Sequence, residues 1–101
     1  MMSKSFYADY VRHALRFYSR TVNGGVIFKS DVDQENWMSC KKALEKYNEG
    51  DLKILLSVYS GFDTLPDEVY NTSQKYKVKQ NYIWDMMKDL EHRVAQYRGL
   101  I

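Results

Sequence analysis

The sequence predicts an all-α fold, a compact five-helix domain whose last helix is long. Three observations carry that expectation. The 101 residues contain one Pro and five Gly, so few positions interrupt a helix. Apolar side chains recur at three- and four-residue spacings through most of the chain. The periodic stretches also begin and stop at residues that suit helix ends. The length fits one domain over residues 1–101, with a modest core. Nine Tyr, four Phe and two Trp point to wide packing faces and to a surface that meets a partner.

The first helix is expected over residues 3–20. Phe6, Tyr7, Tyr10, Val11, Ala14, Leu15, Phe17 and Tyr18 hold its apolar arc, with Ser5 or Ser3 as cap. The arc is broad for a surface helix. Either it packs deeply on the rest, or part of it, the surface of Phe6, Tyr7, Tyr10, Phe17 and Tyr18, meets a second copy. Arg12 and Arg16 share a face and suit either phosphates or the acidic middle of the chain.

Asn23-Gly24-Gly25 signals a turn, and Val26-Ile27-Phe28 is too short for an independent strand. It reads as a mobile arm or hairpin tip, or as a loop that plugs the core. The second helix is expected over residues 33–48, capped by Asp31 or Asp33. Its inward stripe is Trp37, Cys40, Ala43 or Leu44, and Tyr47, and Asn48-Glu49-Gly50 ends it. A third helix over residues 52–60 carries Leu52, Leu55, Leu56 and Tyr59 and anchors the core.

Thr64-Leu65-Pro66-Asp67 is the strongest local helix start. Thr64 caps, Pro66 sits where its missing N–H costs nothing, and Asp67 or Glu68 complements the helix dipole. The fourth helix therefore runs over residues 65–76. After a turn around Lys77-Val78, the fifth follows Ile83, Met86 or Met87, Leu90, Val94 and Tyr97 to a stop at Gly99, with Leu100 as the apolar contact.

Two basic ends flank an acidic middle. Residues 1–28 carry four basic and one acidic group, residues 29–68 five and nine, and residues 69–101 six and three. Folded together, the ends would present one basic face. The single Cys40 excludes an internal disulfide and suits a buried small hydrophobe. The chain start has no long apolar run, so neither a leader nor a membrane span is expected, and cytoplasmic residence is the default. No cofactor, metal site or catalytic constellation is expected. His13 and His92 each adjoin an arginine, Asp31 and Asp33 lack the rest of a calcium loop, and Asp85 and Asp89 read as solvated surface.

Residues 69–88, with residues 52–59 as supporting helix, resemble the helix-turn-helix unit that ends bacterial sigma factors and small phage-type transcription activators. Ser73 matches the small residue at the helix crossing, and Tyr76, Val78, Ile83 and Met86 match the apolar positions. Lys77 stands where the family usually has a small turn residue, and Thr72 where it has an apolar one. The resemblance implies a helix-turn-helix-like core over residues 51–98, with the helix after Val78 reading double-stranded DNA in the major groove. Lys75, Lys77, Lys79, Gln80, Asn81, Trp84 and Lys88 would then be the DNA-binding residues. Gln80 and Asn81 suit adenine edges, and Lys79 and Lys88 suit phosphate.

Asp85 among these contacts and a net charge of +2 weigh against a DNA-binding reading. The expectation is a non-enzymatic DNA-binding, phage-like transcription-accessory protein. The alternative is a helical protein-interaction or structural module that forms a homodimer or takes a protein partner.

Overall fold

A computed structural model describes residues 7–101 and contains α1 (Ala8–Thr21), α2 (Asp31–Leu44), α3 (Glu49–Ser60), α4 (Leu65–Tyr76) and α5 (Gln80–Tyr97). They form a compact all-α domain, whose 13.1 Å radius of gyration is near the roughly 13 Å expected for about 100 folded residues. Helix α5 packs on each of the other four, and α1 lies against α2, α3 and α5. Among the described residues, no helix is long and apolar enough to cross a membrane.

The core forms where the apolar stripes converge. Val11 and Leu15 of α1, Cys40 and Ala43 of α2, Leu55 and Val58 of α3, Val69 of α4 and Ile83, Leu90 and Val94 of α5 are fully buried. Tyr18 stacks at a tilt on Trp37, with ring centroids 4.8 Å apart. In α3 the inward face is Ile54, Leu55, Val58 and Tyr59, while Leu52 and Leu56 are half-buried at its flanks. Burial pushes the Cys40 thiol up to about 12, which leaves it protonated and unreactive at neutral pH.

The helix ends follow local chemistry. The proposed caps Ser3 and Ser5 lie outside the described residues. Helix α2 starts earlier than residue 33, because the Ser30 hydroxyl accepts the Asp33 amide at 3.2 Å. It also ends at Leu44, so Tyr47 packs on the core from the turn that follows. Asn48 caps α3 by accepting the Asp51 amide at 2.8 Å, which draws Glu49 and Gly50 into that helix. Thr64 caps α4 as its sequence indicates, and the Glu68 carboxylate reaches back to the Asp63 amide at 3.0 Å. A Cβ at Gly61 would lie 2.1 Å from the Glu68 carboxyl carbon, so this approach depends on glycine.

Residues 26–28 form no strand. Phe28 meets Trp37 edge-on at 5.9 Å between centroids, whereas Ile27 points outward and is 89% exposed. The loop thus covers the core with one ring and offers an aliphatic side chain to solvent.

Two helices end in the same way. Lys77 takes the left-handed conformation (φ 57°, ψ 47°), and its amide and that of Val78 both donate to the Ser73 carbonyl. At the end of α5, Gly99 has φ 72° and the Leu100 amide donates to the Ala95 carbonyl at 2.9 Å. Val78 and Leu100 then each fold an apolar side chain onto the core.

Candidate interaction surfaces

The α4–α5 corner is built by inward-facing residues. Val69, Thr72 and Ser73 of α4 and Ile83, Met86 and Met87 of α5 are buried, with Tyr76 and Val78 partly covered between them. Thr72, polar at an inward position, exchanges a hydrogen bond with Ser57 at 3.1 Å, so its hydroxyl is not left unpaired. The outward side carries Lys75, Lys77, Lys79, Gln80, Asn81 and Lys88, all exposed. Trp84 differs from these, because it is partly buried and packs on the core. Asp85 stays exposed on the same side.

Beside this corner, a broad cleft of about 650 Å³ opens between the start of α3 and the α4–α5 turn. Ile54, Tyr76, Val78 and Tyr82 give it apolar and aromatic walls, and Lys53 and Lys79 stand at its edge. The Tyr82 hydroxyl donates to Asp51 at 2.6 Å, and the Asn48 amide donates to the other Asp51 oxygen at 3.3 Å. That carboxylate raises the Tyr82 phenol above its ordinary range through the hydrogen bond. Among the described residues, Lys53, Lys75, Lys77 and Lys79 form no ion pair.

A second groove, about 240 Å³, lies between α1 and α2. Ala14, Phe17 and Ile27 supply its apolar surface, and His13, Lys29 and Asp33 its polar edge. Phe17 is 36% exposed, a large ring open beside Ile27. Tyr10 is exposed on the same helix and accepts from the Asn36 amide at 3.1 Å, which fixes its ring next to the groove. The five aromatics expected to form one surface on α1 are therefore divided. Tyr10 and Phe17 face outward. Tyr18 is only 6% exposed and belongs to the core, because its helix position faces Trp37 rather than solvent. Tyr7 is half-buried against the core, its hydroxyl 3.3 Å from His92 Nδ1, and Phe6 lies outside the described residues.

The arginines of α1 are paired within the protein, Arg12 with a carboxylate of α5 and Arg16 with main-chain carbonyls of the acidic middle segment. Arg12 Nε donates to Glu91 Oε2 of α5 at 2.9 Å. Tyr59 donates to the same oxygen at 2.6 Å, and Glu91 is only 5% exposed. Burial, then the Glu91 charge, holds the Tyr59 phenol well above its ordinary range. Arg16 and Arg20 donate to the carbonyls that end α3 and follow it, including Asp63 from Arg16 at 2.7 Å and Gly61 from Arg20 at 2.6 Å. The guanidinium groups thus satisfy C-terminal carbonyls of α3 that its own helix cannot pair.

Asp89 is engaged within the protein. Asp89 accepts from the Tyr47 hydroxyl and from Arg93 Nε at 2.9 Å, which occupies it. These two partners, Tyr47 first, hold its carboxyl below the ordinary range. Among the described residues, no group of three or more His, Cys, Asp or Glu side chains is placed to hold a metal ion.

No protein-family model matches the chain, and comparisons with curated proteins and with solved structures each find no match. This corrects the description as a phage-like, helix-turn-helix, DNA-binding protein of transcription regulation. The physical reason lies in where the matching residues point. Ser73, Ile83 and Met86 are buried, and Tyr76 and Val78 are partly so. Those positions specify that α4 packs on α5 across a left-handed turn. They carry no information about what the outer face touches.

Proposed function

We propose that this protein is a non-enzymatic helical interaction module that pairs with a second copy of itself through the α1–α2 groove. One observation carries the reading: Phe17 and Ile27 stand exposed beside a recess small enough for a single apolar side chain to enter. The patch therefore offers both a projection and a receptacle, which is what a two-fold interface needs. Its polar edge has both signs, so Lys29 of one copy can face Asp33 of the other.

The strength follows from the area. Burying Ile27 contributes about 1.5–3 kcal/mol, and Phe17, only 36% exposed beforehand, less than that, counted on both copies. Association costs about 4–15 kcal/mol, which offsets most of this. The dimer is accordingly weak and concentration-dependent.

Sedimentation equilibrium over a rising concentration series tests the proposal. The wild type should shift towards dimer, and Ile27→Glu or Phe17→Glu should remain monomeric with unchanged helical circular dichroism. A wild type that stays monomeric throughout would refute it. Duplex DNA titrated at low salt supplies the competing outcome. Binding that weakens steeply with salt and disappears when Lys79, Gln80 and Asn81 are replaced together would transfer the function to the α5 face.

A further inference from the structure

We propose that the cleft between α3 and the α4–α5 turn docks an acidic protein segment that inserts a large apolar side chain. Its volume, about 650 Å³, falls within the roughly 300–1,000 Å³ typical of binding clefts. Its walls are chemically divided. Ile54 and Val78 make an aliphatic floor, Tyr76 and Tyr82 add ring surface, and Lys53 and Lys79 bring positive charge to the edge. Lys75 and Lys77 extend the same sign around the turn.

Asp51 lines the cleft as its one carboxylate, and lysines outnumber it there. Both oxygens of Asp51 are hydrogen-bonded, one to Tyr82 and the other to Asn48. Asp51 is thereby directed into the protein's own hydrogen bonds, while the four lysines are exposed and form no ion pair, Lys75 lying over the Tyr76 ring at 5.3 Å.

Charge decides the class of occupant. A second copy would bring four lysines against four lysines, so this cleft does not suit the self-pairing proposed for the α1–α2 groove. A nucleic-acid duplex would satisfy the lysines, but its bases are stacked inside it and leave the apolar space between the lysines unfilled. A peptide segment with carboxylates around a leucine or aromatic residue matches both parts. The Tyr82 ring, half-exposed and held by Asp51, forms a fixed lip over which that segment would cross. The inference concerns a different surface from the proposed dimer and stands without it.

Fluorescence anisotropy on the full chain provides the test, using a short dye-labelled peptide with a leucine pair set among glutamates. A matched peptide has serines in place of the leucines, and a labelled DNA duplex is the third probe. The leucine peptide should bind at least about tenfold more tightly than the serine peptide, the ratio expected when a large aliphatic side chain is buried. Lys53→Glu/Lys79→Glu should abolish that binding, and Tyr82→Ala should narrow the difference between the two peptides. These residues lie at the surface, and circular dichroism verifies that the variants are folded. Equal affinity for both peptides would refute the docking of an apolar side chain. So would binding of the duplex without binding of the leucine peptide, or no peptide binding at all.

Discussion

Replacing Lys77 by glycine tests the account of the α4–α5 turn most directly. Lys77 is the one non-glycine residue with positive φ among the described residues. A left-handed residue with a Cβ costs about 1–2 kcal/mol relative to ordinary helix geometry. Glycine removes that cost, although its freedom in the unfolded chain takes back about 0.5–1 kcal/mol. The lysine charge at the C-terminus of α4 contributes about 0.3 kcal/mol at this exposed position, which the substitution also loses.

The net expectation for Lys77→Gly is a gain of about 0.5 kcal/mol, or a rise of roughly 2–4 °C in Tm for a domain of this size. Gly99→Ala is the converse experiment at the matching turn. An added Cβ there meets nothing within 4 Å, so its loss of about 1 kcal/mol would be conformational rather than steric. Thermal and urea unfolding of the two variants supply the measurement. A Lys77→Gly midpoint at or below that of the wild type, with helix content intact, would refute the reasoning.

Two other variants probe the polar contacts. Arg12→Ala should destabilise by about 2–3 kcal/mol, less than the about 3–5 kcal/mol lost from a fully buried pair, because the arginine side chain is 36% exposed. Combining it with Glu91→Gln should recover part of that loss in urea unfolding, and strictly additive effects would contradict the coupling. For Asp89, the folded-state carboxyl lies below its ordinary range. Its stabilisation is complete above the unfolded pKa of about 4 and disappears as pH falls through the lower folded value. Asp89→Asn should therefore flatten the dependence of Tm on pH in that acid window, and an unchanged slope would remove Asp89 as a source of acid sensitivity.

The parts of the fold legible in the sequence were those with local causes. The start of α4 follows from Thr64, Pro66 and the acidic first turn, and the stop of α5 follows from Gly99 and Leu100. The α2–α3 boundary was less legible because Asn48 both follows one helix and caps the next. Its side chain chose the second role, so the expected helix terminator became a helix start. The exposed lysines around α4 and α5 were readable as a face. The neighbouring cleft was not, since Ile54 and Tyr82 are separated in the chain and meet only through packing.

The arginine contacts were hidden for a different reason. Arg16 and Arg20 bind main-chain carbonyls, which every residue possesses and no sequence pattern marks. Glu91 did leave a signal. It lies among Met87, Leu90 and Val94 on the apolar stripe of α5, where a carboxylate requires buried partners. Its position alone calls for a cation or hydroxyl brought in from another helix, and Arg12 and Tyr59 fill that need.

The shared carboxylate also joins parts of the chain that are made far apart in time. Arg16 and Arg20 can engage the end of α3 as soon as residues 60–63 are available. Arg12 must wait for Glu91, 79 positions later, and Tyr59 waits for the same oxygen across 32 positions. A nascent chain can therefore seat one flank of α1 while the other still lacks its partner. During that interval the first clasp can close while the second stays open, and Arg12 and Tyr59 meet their shared oxygen only once α5 is in reach.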